Sequence, residues 1–245
     1  MSDQGLVLVE TVISAPRDAV WAALRDPAKI RRWHGWENED LDAEIDFVYG
    51  EHADEHAAEG ILDIPGVGTT FTLEDRGPET LLRVSKAAAA PADGGYDDID
   101  DGWISFVHQL RFGLERHNLA ERRTVQFDGS AEADAGPLTA ATLGLTGAHA
   151  APVGERYAGT TRWGEQLSGE VLFRTLHQVG LTVDAYGEGL VVLHAQPAYA
   201  RPPHGGGKAI ITTYGLSEDA LAALRGRWEG WLGTSYGHAG RLAVA

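Results

Sequence analysis

Residues 101–117, "DGWISFVHQLRFGLERH", constrain the fold more than any other stretch of the chain. Trp103, Phe106, Val107, Leu110 and Leu114 recur at spacings of three and four, which predicts a long helix with one broad apolar stripe. Such a stripe must be covered by another apolar layer. The segments before it supply strands for that layer. "LVLVETVI" (6–13) is rich in branched apolar residues. "AEIDFVY" alternates Ile45, Phe47 and Tyr49 against acidic neighbours, and predicts a strand with those three on one face. "ILDIPG", "TTFTLEDR" and "TLLRVSKA" follow, separated by the turns "PG" and "GPE". Between the first strand and these, "SAPRDAVWAALRDP" predicts a short helix capped by Ser14, and "PAKIRRW" a second one that starts at Pro27. The expected class is α+β, an antiparallel meander packed on one long helix.

The pattern partly returns. "GLVVLHAQ" and "KAIITTYG" predict strands, and "SEDALAALRGRWEGWLGTSY" predicts a second long helix, capped by Ser217 and striped by Leu221, Leu224, Trp228 and Trp231. "TTRWGEQLSGEVLFRTLHQV" echoes "IRRWHGWENEDLDAEIDFVY", each with an Arg-Trp pair ahead of an expected strand. "DGSAEADAGP" (128–137) is polar and small, as linkers are. The expected layout is a first domain over 1–120, a linker over 121–137, and a degenerate, truncated second copy over 138–245.

The formal net charge is −16, which disfavours nucleic acid and anionic membranes as partners. No apolar run approaches the roughly 20 residues of a membrane span. With no cysteine in the chain, thiolate chemistry and thiolate metal sites are excluded. The N-terminus carries no secretory pattern, so a cytoplasmic protein is expected. Arginine, alanine and glycine are abundant, in keeping with a GC-rich bacterial genome.

Three sets of residues could carry chemistry. His52, Glu55 and His56 match His-x-x-Glu-His, an inverted zinc-protease motif, but the bounding Gly50 and Gly60 leave too little helix for it, so a solvated acidic loop or short surface helix is expected and no metal is assigned. Trp33, His34 and Trp36 in "RRWHGW" form an aromatic group in which His34 could act as base or donor. The third set, in the second half, is His177, His194, Tyr199, His204 and Tyr214; His177 and His194 lie within or near the ends of apolar strands, and His204 at the hairpin tip "RPPHGGG". His108 falls off the helical stripe, beside Arg111 and Glu115, and is expected at the surface. No phosphate-binding glycine loop and no Gly-x-Ser-x-Gly elbow is present, and no cofactor is expected.

The stretch "VLVETVISAPRDAVWAALRDPAKIRRWHGW" resembles the opening of the START-like (SRPBCC) superfamily. It is most similar to the branch of homologues of the activator of the heat-shock-chaperone ATPase, and "GWISFVHQLRFGLERH" is similar to that branch's final helix. The resemblance covers 6–118 and, in degenerate form, 138–236. It implies a helix-grip fold: a curved antiparallel sheet around a long C-terminal helix, with an apolar hollow between them. It also implies a small apolar ligand, lined here by Trp33, His34, Trp36, Phe47, Tyr49, Phe71, Trp103, Phe106 and Leu110, with His177 and Trp228 in the second half. Two alternatives follow from the same resemblance, a cyclase or dehydratase acting on a polyketide-like substrate in that hollow, and a chaperone-associated interaction protein.

Overall fold

The computed structural model describes residues 5–87 and 95–237, so part of the Ala- and Gly-rich loop before the first long helix lies outside the described residues. The chain divides into two compact units, Met1–Glu121 and Arg122–Ala245.

In the first unit, β1 (Leu6–Ile13) is followed by α1 (Arg17–Arg25) and α2 (Pro27–Ile30). Then come α3 (Leu41–Ile45), a π-helical turn (Asp46–Glu51), β2 (Asp54–His56), β3 (Ile61–Ile64), β4 (Thr69–Arg76) and β5 (Glu79–Lys86). The unit closes with α4 (Asp98–His117). The sheet order is β1-β5-β4-β3-β2, and every pairing is antiparallel. One sheet face turns Phe71, Leu73, Leu82 and Val84 toward Trp103, Val107 and Leu110 of α4 in a single buried cluster. Cβ alternation dictates the opposite orientation for Thr70, Thr72, Arg83 and Ser85. This is the helix-grip arrangement, and the apolar stripe of α4 is what the sheet holds.

Several local expectations differ. Ser14 does not cap α1, whose N-cap is Pro16 with no side-chain bond; the Ser14 amide instead donates to Glu115 Oε1 at 2.9 Å. Pro27 does open α2, with the Asp26 carboxylate accepting from the Ala28 amide. The "AEIDFVY" segment is not a strand. Leu41, Ile45, Val48 and Tyr49 are buried, a spacing of four, three and one that only a helical path can turn to one side. The apparent alternation over five residues was too short to outweigh it. Phe47 consequently points outward and is 51% exposed. The "HADEH" segment is neither loop nor helix at its core: Asp54–His56 is an exposed edge strand paired to β3. Gly60, at φ +73°, lets the chain turn into β3; a Cβ there would meet the Leu73 carbonyl oxygen at 2.6 Å.

The second unit repeats the plan. β6 (Arg123–Ser130) leads to α5 (Thr146–Ala150), then β7 (Arg156–Thr160), β8 (Gln166–Arg174), β9 (Gln178–Val183), β10 (Gly189–Gln196), β11 (Gly206–Thr213) and α6 (Glu218–Ser235). The sheet order β6-β11-β10-β9-β8-β7 again pairs the first strand with the last. The stretch expected as a linker, 121–137, therefore begins with a strand: β6 is bonded to β11 along its whole length. Its glycine and serine residues had masked the apolar Val125 and Phe127, both buried. What is truncated in this copy is the helical insert after the first strand, reduced to α5, while the sheet has one strand more than its counterpart. The Arg-Trp echo marks no equivalent position. Trp33 lies between α2 and α3, and Trp163 in the turn between β7 and β8.

Candidate functional site

The residues that gather are those at one end of the first grip. Asp26 and Pro27 start α2, and the chain leaves it through Trp33 and His34. Trp33 is fully buried and its indole N–H donates to the Ala23 carbonyl at 2.8 Å, which fixes the ring under α1. His34 follows and is 2% exposed. Its ring lies 5.7 Å from Trp33, 5.2 Å from Tyr49, 5.9 Å from Trp103 and 4.8 Å from Phe106, centroid to centroid. Trp103 in turn meets Phe71 edge-on at 5.4 Å, and the half-buried Trp36 stands 6.4 Å from Phe106 at the outer side of the group. Leu110 is buried one helical step along the same stripe.

Both imidazole nitrogens of His34 are engaged. Nε2 lies 3.1 Å from Glu44 Oε1, and Nδ1 lies 3.0 Å from the Tyr49 hydroxyl. A carboxylate only accepts, so in the neutral imidazole the proton sits on Nε2, Nδ1 accepts, and Tyr49 donates to it. The bond from His34 holds the Glu44 carboxyl below its ordinary value of 4.5, with burial opposing. Burial pushes the Tyr49 phenol well above 10.0, and the Glu44 carboxylate adds to the rise. The chain of bonds begins at a half-exposed carboxylate, 47% by side chain, and ends at a phenol that is 2% exposed. α3 and the π-helical turn carry both partners. This strap is also tied to the first helices by an Arg31–Asp42 ion pair and by Arg25 Nη1 donating to the Tyr49 carbonyl at 2.7 Å.

The remaining expected site residues fall elsewhere. Phe47, expected as a lining residue, instead faces outward and packs against His52 at 4.2 Å, because the helical path turns it away from Ile45 and Tyr49. His177 is half-buried at the turn between β8 and β9, where its carbonyl accepts from the Ala195 amide. Trp228 is fully buried in the second core, stacked on Phe127 at 6.1 Å and donating to the Tyr186 hydroxyl at 3.1 Å. Tyr186 and Trp163 both bond Glu165 Oε2, and Arg227 bonds its other oxygen, so the network is a satisfied structural tie between α6 and the β7–β8 turn. His194 is buried within β10 and Tyr214 after β11, while Tyr199 and His204 are exposed. His108 is buried, contrary to expectation; burial, aided by Arg111, lowers its pKa to about 3. Helical periodicity reports one face of one helix and cannot show what covers another.

His52, Glu55 and His56 do not converge. Glu55 is paired with Arg25 at 2.7 Å, His56 lies 3.9 Å from Asp63, and His52 Nδ1 donates to the Phe47 carbonyl at 2.9 Å. Among the described residues no group of three or more His, Asp or Glu side chains could hold a metal. No described helix is long and apolar enough to cross a membrane. A concavity of about 560 Å³ lies on the outer face of the first sheet, lined by polar residues such as Glu10, Thr72, Arg83 and Ser85. It is not the hollow expected between sheet and helix, where the rings of Trp33, Phe71 and Trp103 pack together.

Sequence reasoning missed Glu44, taken for a solvated strand residue. The available signal was the helical spacing of Leu41, Ile45 and Val48 around it.

No protein-family model matches the chain, and no curated protein matches it. Solved structures do. DynU16, from the dynemicin biosynthetic locus, is 16% identical, with 92% of this chain and 93% of that chain covered and a TM-score of 0.31. BexL, a di-domain ARO/CYC from the BE-7585A biosynthetic pathway, is 12% identical over 93% of this chain and 92% of that one, with a TM-score of 0.30. StfQ, a di-domain ARO/CYC from the steffimycin biosynthetic pathway, is 12% identical over 91% of each chain, with a TM-score of 0.31. Likeness at this level leaves the activities of those proteins with those proteins.

Proposed function

We propose that this chain binds a small apolar molecule in its first unit, at the aromatic end of the grip. The observation that carries this reading is His34, a buried imidazole with both nitrogens engaged inside a box of Trp33, Trp103 and Phe106. Aromatic walls with a few fixed polar groups are the usual composition of a small-molecule site. The ligand enters at the half-buried Trp36 side of the box, so that the strap of α3 and the π-helical turn keeps its bonds to His34. Bonds from Arg25, Arg31 and His34 hold that strap to α1 and α2. π-helical turns of this kind recur at functional sites. Assignment to the heat-shock-activator branch rests on the sequence resemblance of the opening stretch and of "GWISFVHQLRFGLERH" alone.

The test is a titration of the full chain with anilinonaphthalene sulfonate, an anionic dye whose aromatic rings fluoresce in apolar surroundings, read by dye fluorescence and tryptophan quenching. Saturable binding is expected. Trp36→Ala, at the half-buried outer side of the box, weakens it by about tenfold, or ~1.4 kcal/mol. Binding that is unchanged in both Trp36→Ala and Phe106→Ala refutes this location.

A second reading, an enzyme that moves a proton on the bound molecule, is favoured by one feature, the continuous Glu44–His34–Tyr49 line.

A further inference from the structure

With the imidazole neutral, the Tyr49 hydroxyl has a defined polarity. Its proton is directed at His34 Nδ1, 3.0 Å away, because Nε2–H is already directed at Glu44. What Tyr49 can offer a ligand is therefore an oxygen that accepts. A ketone or ether has nothing to donate to it, whereas a hydroxyl does. Resting on the binding reading above, we propose that Glu44, His34 and Tyr49 form a proton relay for an apolar ring compound that carries an acidic O–H, a phenol or an enol.

The transfer balances within the site. The ligand proton moves to the Tyr49 oxygen as the Tyr49 proton moves to His34 Nδ1. No bond to carbon forms or breaks. The products are a ligand oxyanion, hydrogen-bonded by the Tyr49 hydroxyl, and an imidazolium beside the Glu44 carboxylate. Tyr49 acts as the conduit and rests as a neutral phenol, in keeping with the upward push that burial gives its ionisation. The groups around His34 suit a transient cation. Glu44 comes from α3 and Tyr49 from the π-helical turn. Trp33, just after α2, and Trp103 and Phe106 from α4 bring uncharged aromatic rings to it. The low dielectric of the box strengthens the imidazolium–carboxylate pair relative to water.

The experiment uses para-nitrophenol, whose phenolate absorbs in the visible and which ionises near neutral pH. The ionised fraction of the bound compound is read against pH for the full chain. The expected result is an ionisation constant raised about tenfold on binding, the direction a cation formed nearby imposes. Tyr49→Phe keeps the ring and its packing but removes the conduit, and His34→Gln removes the acceptor; each is expected to abolish the shift. Glu44→Gln is expected to reduce it. Binding without a shift, or an equal shift in Tyr49→Phe, overturns the relay and leaves the binding reading standing. A chain that binds the anilinonaphthalene dye but not para-nitrophenol overturns the ligand class. A chain that binds neither overturns the binding reading and the relay together.

Discussion

A single imidazole, His34, ties the end of α2 to both halves of the strap, through Glu44 in α3 and Tyr49 in the π-helical turn. A buried polar ring satisfied at both nitrogens costs little to keep and much to half-satisfy, since losing one partner leaves the other desolvated. His108 is the opposite case, a buried imidazole whose charged form the fold rejects. Its pKa in the folded chain is about 3, against an ordinary 6.5, chiefly through burial and next through Arg111. The unfolded chain therefore takes up a proton that the folded chain refuses. The contribution of His108 to stability is complete above pH 6.5 and is lost progressively as the pH falls toward 3. It amounts to a few kcal/mol at most, about 1.4 kcal/mol for each tenfold difference in proton affinity between the unfolded and folded chain. Urea denaturation of wild type and His108→Gln across this window is the measurement. The variant is expected to show the flatter dependence on pH, and parallel curves would contradict the assignment.

At the scale of elements, the segment from Leu41 to Glu51 separates two readings of one sequence. As a strand it would bury Ile45, Phe47 and Tyr49 together. As a helix it buries Leu41, Ile45, Val48 and Tyr49 and exposes Phe47. The two give different mutational patterns. Ile45→Ala is expected to cost about 2–4 kcal/mol in urea unfolding, the range for a truncated buried aliphatic side chain. Phe47→Ala is expected to change stability by less than about 0.5 kcal/mol, as exposed positions do. Similar losses at both would favour the strand. The long elements needed no such arbitration. α4 and α6 were legible because their apolar stripes run over about three turns, from Trp103 to Leu114 and from Leu221 to Trp231, and because Ser217 marks the start of α6. β4, β5, β10 and β11 were legible from branched residues and turn signals. β6 was hidden because Asp128, Gly129 and Ser130 read as linker composition while pairing with β11 as strand. The site was legible in its aromatic members Trp33, His34, Trp103 and Phe106, and illegible in Glu44, whose partner lies ten residues back across a chain reversal.

At the scale of the whole molecule, each unit closes its own core. Trp33, Trp103 and Leu110 belong to one buried cluster, and Phe127, Tyr186 and Trp228 to the other. Trp228→Ala removes the stacking partner of Phe127 and the donor to Tyr186, and is expected to cost about 3–5 kcal/mol. Hydrogen exchange read by peptide mass should then rise across 122–237 and remain at wild-type protection in 5–87 and 95–121. Equal loss of protection in both would mean that the cores unfold as one. The sequence by itself determined the class, the meander and the two helices that the sheets hold, because periodicity and turn residues act over a few neighbours and survive in one dimension. The path of the strap, the burial of His108, the strand within the expected linker and the meeting of Glu44, His34 and Tyr49 were decided by tertiary structure alone. Those outcomes depend on which distant surface covers a side chain, and a linear pattern carries no record of that.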